Sequence, residues 1–76
     1  PREAFDGGPY GLSIQQRVLK EALPFLRPGG VLLFEIGAGQ ERQVRMLFER
    51  ARAYADLRSV CDAAGAVRVV SGRRKA

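Results

Sequence analysis

The sequence predicts an α/β fold, and three features carry that prediction. An apolar stripe at helical spacing leads through Pro28-Gly29-Gly30 into an unbroken apolar run, Val31-Leu32-Leu33-Phe34, which closes at Gly37. A second helical stripe follows directly. Two β-rich runs then flank Asp62-Ala63-Ala64-Gly65, where an Asp to open a turn and a Gly for its left-handed position mark a hairpin. The resulting order is loop, helix, strand, helix, strand, turn, strand: a helix–strand–helix unit plus an antiparallel β-hairpin.

Residues 1–11 hold Gly7, Gly8, Pro9 and Gly11, too dense a punctuation for regular structure. Ser13 offers a helix N-cap, with Gln16 completing a capping-box pattern. Ile14, Val18, Ala22 and Leu26 then recur every four residues, widened by Leu19 and Leu23, so a helix with one buried face is predicted over 13–26. Pro24 should kink it or end it early. The run 31–36 has no alternating polar residue, which predicts a central strand covered on both faces. Val44, Leu47, Phe48, Ala51 and Ala55 form one stripe and predict a second helix over about 40–55. Its Glu41–Arg45 pair, and Glu49 with Arg45 or Arg52, read as a solvated face. Leu57–Cys61 and Val67–Gly72 complete the hairpin strands.

The chain has 76 residues and reads as one partial domain, 1–76, ending in a solvated basic tail from residue 73. A chain of this length buries only ~60–65% of its unfolded surface, so its core is marginal alone. It opens at Pro1 without an initiator Met and is expected to be a segment of a longer polypeptide. With 46% hydrophobic and 28% charged residues it is globular rather than disordered. No apolar run approaches the roughly 18 residues of a membrane span, and no signal-peptide pattern is present.

There is no histidine, which excludes within this chain a His-based nucleophile system or a His-containing zinc site. The single Cys61 cannot close an internal disulfide, and a reducing, cytoplasmic setting is expected. Cys61 itself reads as a small buried strand residue, since no His is available to activate it as a nucleophile. The net charge of +5 rests on eleven Arg and two Lys spread along the chain. A cationic surface could attract nucleic acid, and a small RNA-binding module using Arg73-Arg74-Lys75 is one reading. Against it, Phe5, Phe25, Phe34 and Phe48 sit in core-like positions, while Tyr10 and Tyr54 stand isolated, so no aromatic stacking platform emerges.

The stretch Glu35-Ile36-Gly37-Ala38-Gly39-Gln40 carries two readings. A strand running into an acid, then Gly-x-Gly, then a helix is how nucleotide-type cofactors are held in open α/β sheets. Asp62, at the end of the next strand, would then bind ribose hydroxyls. In the alternative the loop is a plain strand-to-helix turn. Glu41 stands where a third glycine would be, and its carboxylate would repel an anionic cofactor group.

Taken together, four pieces resemble a known family: Pro1-Arg2-Glu3-Ala4-Phe5-Asp6-Gly7-Gly8 with Gly11-Leu12; Leu26-Arg27-Pro28-Gly29-Gly30; Glu35-Ile36-Gly37 with Gln40; and Asp62-Ala63-Ala64-Gly65 with Arg68-Val69-Val70. In this order they resemble the C-terminal third of the HemK/PrmC-type protein-(glutamine-N5) methyltransferases, which methylate the glutamine of the Gly-Gly-Gln motif in peptide chain release factors. Pro9-Tyr10 departs from the pattern, where the family usually has an acidic residue before Gly-Leu.

The resemblance implies the Rossmann-like class I methyltransferase sheet, ordered 3-2-1-4-5-7-6, with residues 31–36 as strand five and the hairpin as strands six and seven. It implies S-adenosylmethionine (SAM) as the parent's cofactor, held by a glycine-rich loop after strand one, and a release factor as its partner. It implies an Asn-Pro-Pro-Tyr motif after strand four that grips the substrate amide; this chain contains no Asn. It places Ala4, Phe5, Asp6, Gly7 and Gly8 near the substrate, and assigns no catalytic, cofactor-binding or metal-binding residue to the chain. The isolated segment is expected to be inactive, to bind no SAM, and to self-associate through the bare edge of strand five. A segment of a related nucleic-acid amino methyltransferase is the alternative within the class.

Overall fold

The computed structural model describes residues 9–76 of the chain. Helix α1 spans Pro9–Glu21, a 3₁₀ turn spans Leu23–Phe25, strand β1 spans Val31–Glu35, and helix α2 spans Glu41–Ala51. Strands β2 (Tyr54–Cys61) and β3 (Val67–Arg74) follow. The sheet order is β1-β3-β2, with β3 antiparallel to both neighbours. The predicted class and element order therefore hold, and the differences lie at the boundaries.

α1 starts at Pro9, four residues before the expected start at Ser13. Proline suits the first turn because the N–H it lacks would have no partner there. Ser13 and Gln16 thus lie inside the helix instead of capping it. At the other end the α-helix stops at Glu21, short of the predicted 26. Pro24 has no N–H to continue the ladder, and the backbone tightens into the 3₁₀ turn, with Phe25 N–H on the Ala22 carbonyl and Leu26 N–H on Leu23. Phe25 is left 88% exposed.

α2 ends four residues earlier than predicted. Arg52 takes the left-handed conformation (φ 61) and its N–H returns to the Glu49 carbonyl, closing the helix. Tyr54 and Ala55, expected in the helix, instead begin β2 opposite Arg74 and Arg73. What draws Tyr54 out is burial: its ring meets Phe48 edge-on at 5.2 Å, and its hydroxyl donates a buried 2.6 Å hydrogen bond to the Leu19 carbonyl of α1. Tyr54 is a core residue, not an isolated one.

β3 also runs further than predicted, to Arg74. Arg73 and Arg74, expected at the start of a solvated tail, are strand residues tied to the loop before β1. Arg74 N–H donates to the Gly30 carbonyl, Gly29 N–H to the Arg74 carbonyl, and the two guanidinium groups to the Gly29 and Leu26 carbonyls.

The buried core is Leu19, Ile36, Val44, Phe48, Tyr54 and Val70. Phe48 is its centre, with Phe34 at 5.7 Å on one side and Tyr54 on the other. Gly72 faces this ring: a Cβ at that position would lie 2.7 Å from two Phe48 ring carbons and 3.0 Å from the Leu57 side chain. The sheet is packed on this face alone. On the opposite face Val31, Leu33 and Val60 are about half exposed, which corrects the expectation that β1 is covered on both sides. Among the described residues both helices belong to the Phe48 side, so nothing remains to cover the other.

Cys61, expected buried, is exposed. It ends β2 where the strand leaves the cover of α2 and enters the turn.

Gly72→Ala should destabilise the chain by about 1–3 kcal/mol in urea unfolding. The opposing gain from a less flexible unfolded chain is only about 0.4–1 kcal/mol, and the fully buried Phe48 ring has nowhere to move. Burial pushes the Tyr54 phenol above its ordinary value, partly offset by the nearby Arg74 charge. The fold therefore favours the protonated phenol. That contribution is complete below the unfolded value near pH ~10 and is lost as pH rises through the folded value. Alkaline titration of stability should show this loss in the parent chain and a shallower one in Tyr54→Phe.

Candidate functional site

The carboxyl end of β1, where an open α/β sheet binds ligands, opens into the loop Gly37-Ala38-Gly39-Gln40. Gly37 N–H donates to the Gln40 Oε1 at 2.8 Å, and Gln40 N–H donates to the Gly37 carbonyl at 3.2 Å. Gly39 has φ +83, which a residue with a side chain rarely adopts. The Gly-x-Gly segment is thus a closed turn whose first N–H is already taken by Gln40.

Glu41, the first residue of α2, accepts a 2.6 Å hydrogen bond from Ser59 Oγ of β2. Arg45 completes the cluster, donating to Ser59 Oγ at 2.9 Å and lying 4.0 Å from the Glu41 carboxylate. These three partly buried side chains pin the start of α2 to β2. The serine hydroxyl is engaged on both sides, and a carboxylate with an arginine consumes the polarity a nucleophile would need.

Asp62 is equally occupied. Its Oδ1 accepts from the N–H groups of Ala64 and Ala66, and its main chain exchanges bonds with Gly65 and Ala66. Gly65 sits at φ +89. Asp62 is therefore the turn residue that the hairpin reading predicted. Its other oxygen stands 4.0 Å from Arg68.

The residues around this loop do not fit a SAM molecule. The N–H that would approach the ligand is spent, a carboxylate follows the glycines, and the pocket at the end of β1 holds only about 150 Å³ between Glu35, Ile36, Arg68 and Val69. Gly37-Ala38-Gly39-Gln40 forms a strand-to-helix turn closed by Gln40. A larger groove of about 320 Å³ lies between the helices, floored by Leu19, Leu23 and Leu47 and edged by Lys20 and Arg50. Among the described residues no group of His, Cys, Asp and Glu could hold a metal ion, and no helix is long and apolar enough to cross a membrane. Ala4, Phe5, Asp6, Gly7 and Gly8, the positions expected near substrate, lie outside the described residues.

What the fold defines is a class. A final antiparallel strand inserted between two parallel ones, with both helices on one face, is compatible with the C-terminal part of a methyltransferase sheet, β1, β3 and β2 standing for strands five, seven and six.

Sequence comparison narrows the class. The chain is 41% identical over 70 residues to the release factor glutamine methyltransferase of Gloeobacter violaceus, covering 92% of this chain and 24% of that protein. It is 43% identical over 72 residues to the release factor glutamine methyltransferase of Caulobacter vibrioides, covering 95% of this chain and 25% of that protein. A shorter match, 49% over 41 residues, covers 54% of this chain and 13% of the ribosomal protein uL3 glutamine methyltransferase of Bradyrhizobium diazoefficiens. The chain thus spans about a quarter of the length of the release factor enzymes it matches. No protein-family model matches it, and no solved structure does. The chain is a C-terminal segment of the release factor glutamine methyltransferase family, the HemK/PrmC type.

Sequence reasoning missed the Glu41–Ser59–Arg45 cluster, because Ser59 lies on another element and no spacing rule joins it to α2. The role given to Asp62 is directly testable. Asp62→Ala should lower stability by about 1 kcal/mol with no ligand present, measured by urea unfolding; an unchanged midpoint would contradict the turn assignment.

Proposed function

We propose that the chain is the end of the catalytic domain of a SAM-dependent protein-(glutamine-N5) methyltransferase whose substrate is a peptide chain release factor. The observation that carries this reading is the likeness to release factor glutamine methyltransferases along more than nine-tenths of the chain. The strand order of the hairpin supports the same placement. The uL3 enzyme offers a second protein substrate, but its match extends over only about half of the chain, so the release factor is preferred.

In this reading the cofactor and the substrate amide are gripped by parts of the polypeptide that these residues do not include, since the only Gly-x-Gly loop is closed and the chain has no Asn. The chemistry those parts supply is methyl transfer to an amide nitrogen, where holding the amide in line with the methyl donor does most of the work. The 76 residues contribute scaffold, together with the segment Ala4–Gly8, whose paired glycines would let a substrate loop approach closely. Neither the cationic RNA module nor a nucleic-acid amino methyltransferase has an observation in its favour beyond net charge and class membership.

The test has two arms. Isothermal calorimetry of the 76-residue chain with SAM should give no saturable heat; saturable binding would falsify the scaffold reading. A longer polypeptide carrying the upstream sequence should transfer a labelled methyl group from SAM to a release factor glutamine and much less to uL3. The reverse preference would move the substrate to the ribosomal protein.

A further inference from the structure

Helix α1 is held to the sheet indirectly. It packs chiefly against α2, and α2 is the helix that lies on β2 and β3. The last turn of a helix leaves carbonyl groups that the helix itself cannot fill. Here Pro24, four residues after Lys20, brings no N–H to continue the ladder. The Leu19 carbonyl in that turn accepts the hydroxyl of Tyr54 from β2, a buried hydrogen bond of 2.6 Å.

The phenol is itself fixed in place. Its ring is buried edge-on against Phe48, and its main chain pairs with Arg74 of β3. The hydroxyl therefore reaches one point, and the Leu19 peptide is held there. Leu19 stands ten residues beyond Pro9, which is about 15 Å along the helix axis. α1 is thus a lever: a tilt of about 10° at its Leu19 end moves its start by roughly 2.5 Å. The polypeptide enters that start directly from residues 4–8. A misplacement of about 1 Å, even from a change far from the reacting atoms, can cost on the order of 100-fold in rate.

We propose that Tyr54 is a positioning residue for the protein substrate: through the Leu19 carbonyl it sets the tilt of α1, and with it the place of residues 4–8. This role rests on the function proposed for residues 4–8, the approach of a release factor loop. Tyr54 acts through α1, not by contact with the reacting atoms. Its hydroxyl can be removed by itself. Tyr54→Phe keeps a ring against Phe48, so the core stays filled and the tie to Leu19 is cut.

The test uses the longer polypeptide carrying the upstream sequence in three forms: the parent, Tyr54→Phe, and Asp62→Ala as a control that weakens the fold at the hairpin turn. Hydrogen exchange without substrate should show the α1 amides of residues 13–21 exchanging about tenfold faster in Tyr54→Phe, with those of α2 unchanged. Methyl transfer to a release factor should fall about tenfold or more in kcat/KM, with the KM for SAM unmoved. Asp62→Ala should keep the parent's kcat/KM and should shift the protection of both helices together. If Tyr54→Phe loses no more kcat/KM than Asp62→Ala, or exposes α1 and α2 equally, the hydroxyl is a stability contact and the proposal is overturned. A parent polypeptide that transfers no methyl group to the release factor overturns the underlying function, and the proposal with it.

Discussion

The contact between the Phe48 ring and the Cα of Gly72 is the constraint on which the rest of the fold depends. Gly72 is on β3, the central strand, and Phe48 is on α2, so this one approach sets how closely the helix sits on the sheet. Burying a phenylalanine side chain contributes about 1.5–3 kcal/mol. The tilted and edge-on contacts with Phe34 and Tyr54 add about 0.5–1.5 kcal/mol each. The burial term is the larger, and it exists only because position 72 has no side chain. Tyr54 then extends the cluster to the second helix through its hydroxyl on the Leu19 carbonyl, so α1 is held by a ring that is itself held by Phe48.

This explains which parts of the structure were legible in the sequence. The turn at 62–65 was, because its residue types have no better use: an Asp accepts local N–H groups, and a Gly takes the positive φ. β1 was legible as an apolar run between glycines. Gly72 was not, since a glycine late in a β-rich run reads as the place where a strand ends. Only the position of Phe48, 24 residues earlier, turns it into the centre of a packed face. The end of α2 was hidden for a related reason. Ala55 continues the helical stripe, but Tyr54 gains more from the core than Ala55 would from another half-turn of helix. The covering of β1 was misread because an apolar run reports the cover that both faces call for, and the described residues supply it to one.

The glycine loop shows how far residue types alone can go. An acid, a Gly-x-Gly and a helix start suit both a cofactor cradle and a plain turn, and the sequence holds the two open. They separate only when the partners are counted. Gln40 fills the N–H of Gly37, Ser59 and Arg45 engage Glu41, and the hairpin turn consumes Asp62. Each candidate ligand group is already bonded to its own fold.

The same accounting changes the meaning of the positive charge. Eleven arginines suggest a polyanion partner if they are free. Arg73 and Arg74, two of the three residues in the only basic run, instead donate to the Gly29 and Leu26 carbonyls and lock the end of β3 to the loop before β1. Arg45 ties α2 to β2, and Arg17 pairs with Glu21 along α1. The exposed ion pairs among these contribute little to stability, at about 0–1 kcal/mol each. The arginine bonds to main-chain carbonyls matter more, because they reinforce the main-chain bonds of Gly29 and Gly30 to Arg74 that hold the loop against β3. A cation that must stay in the fold to close a loop is poorly placed to release counterions from a nucleic acid. Part of the basic character of the chain, Arg45, Arg73 and Arg74 above all, is therefore internal wiring.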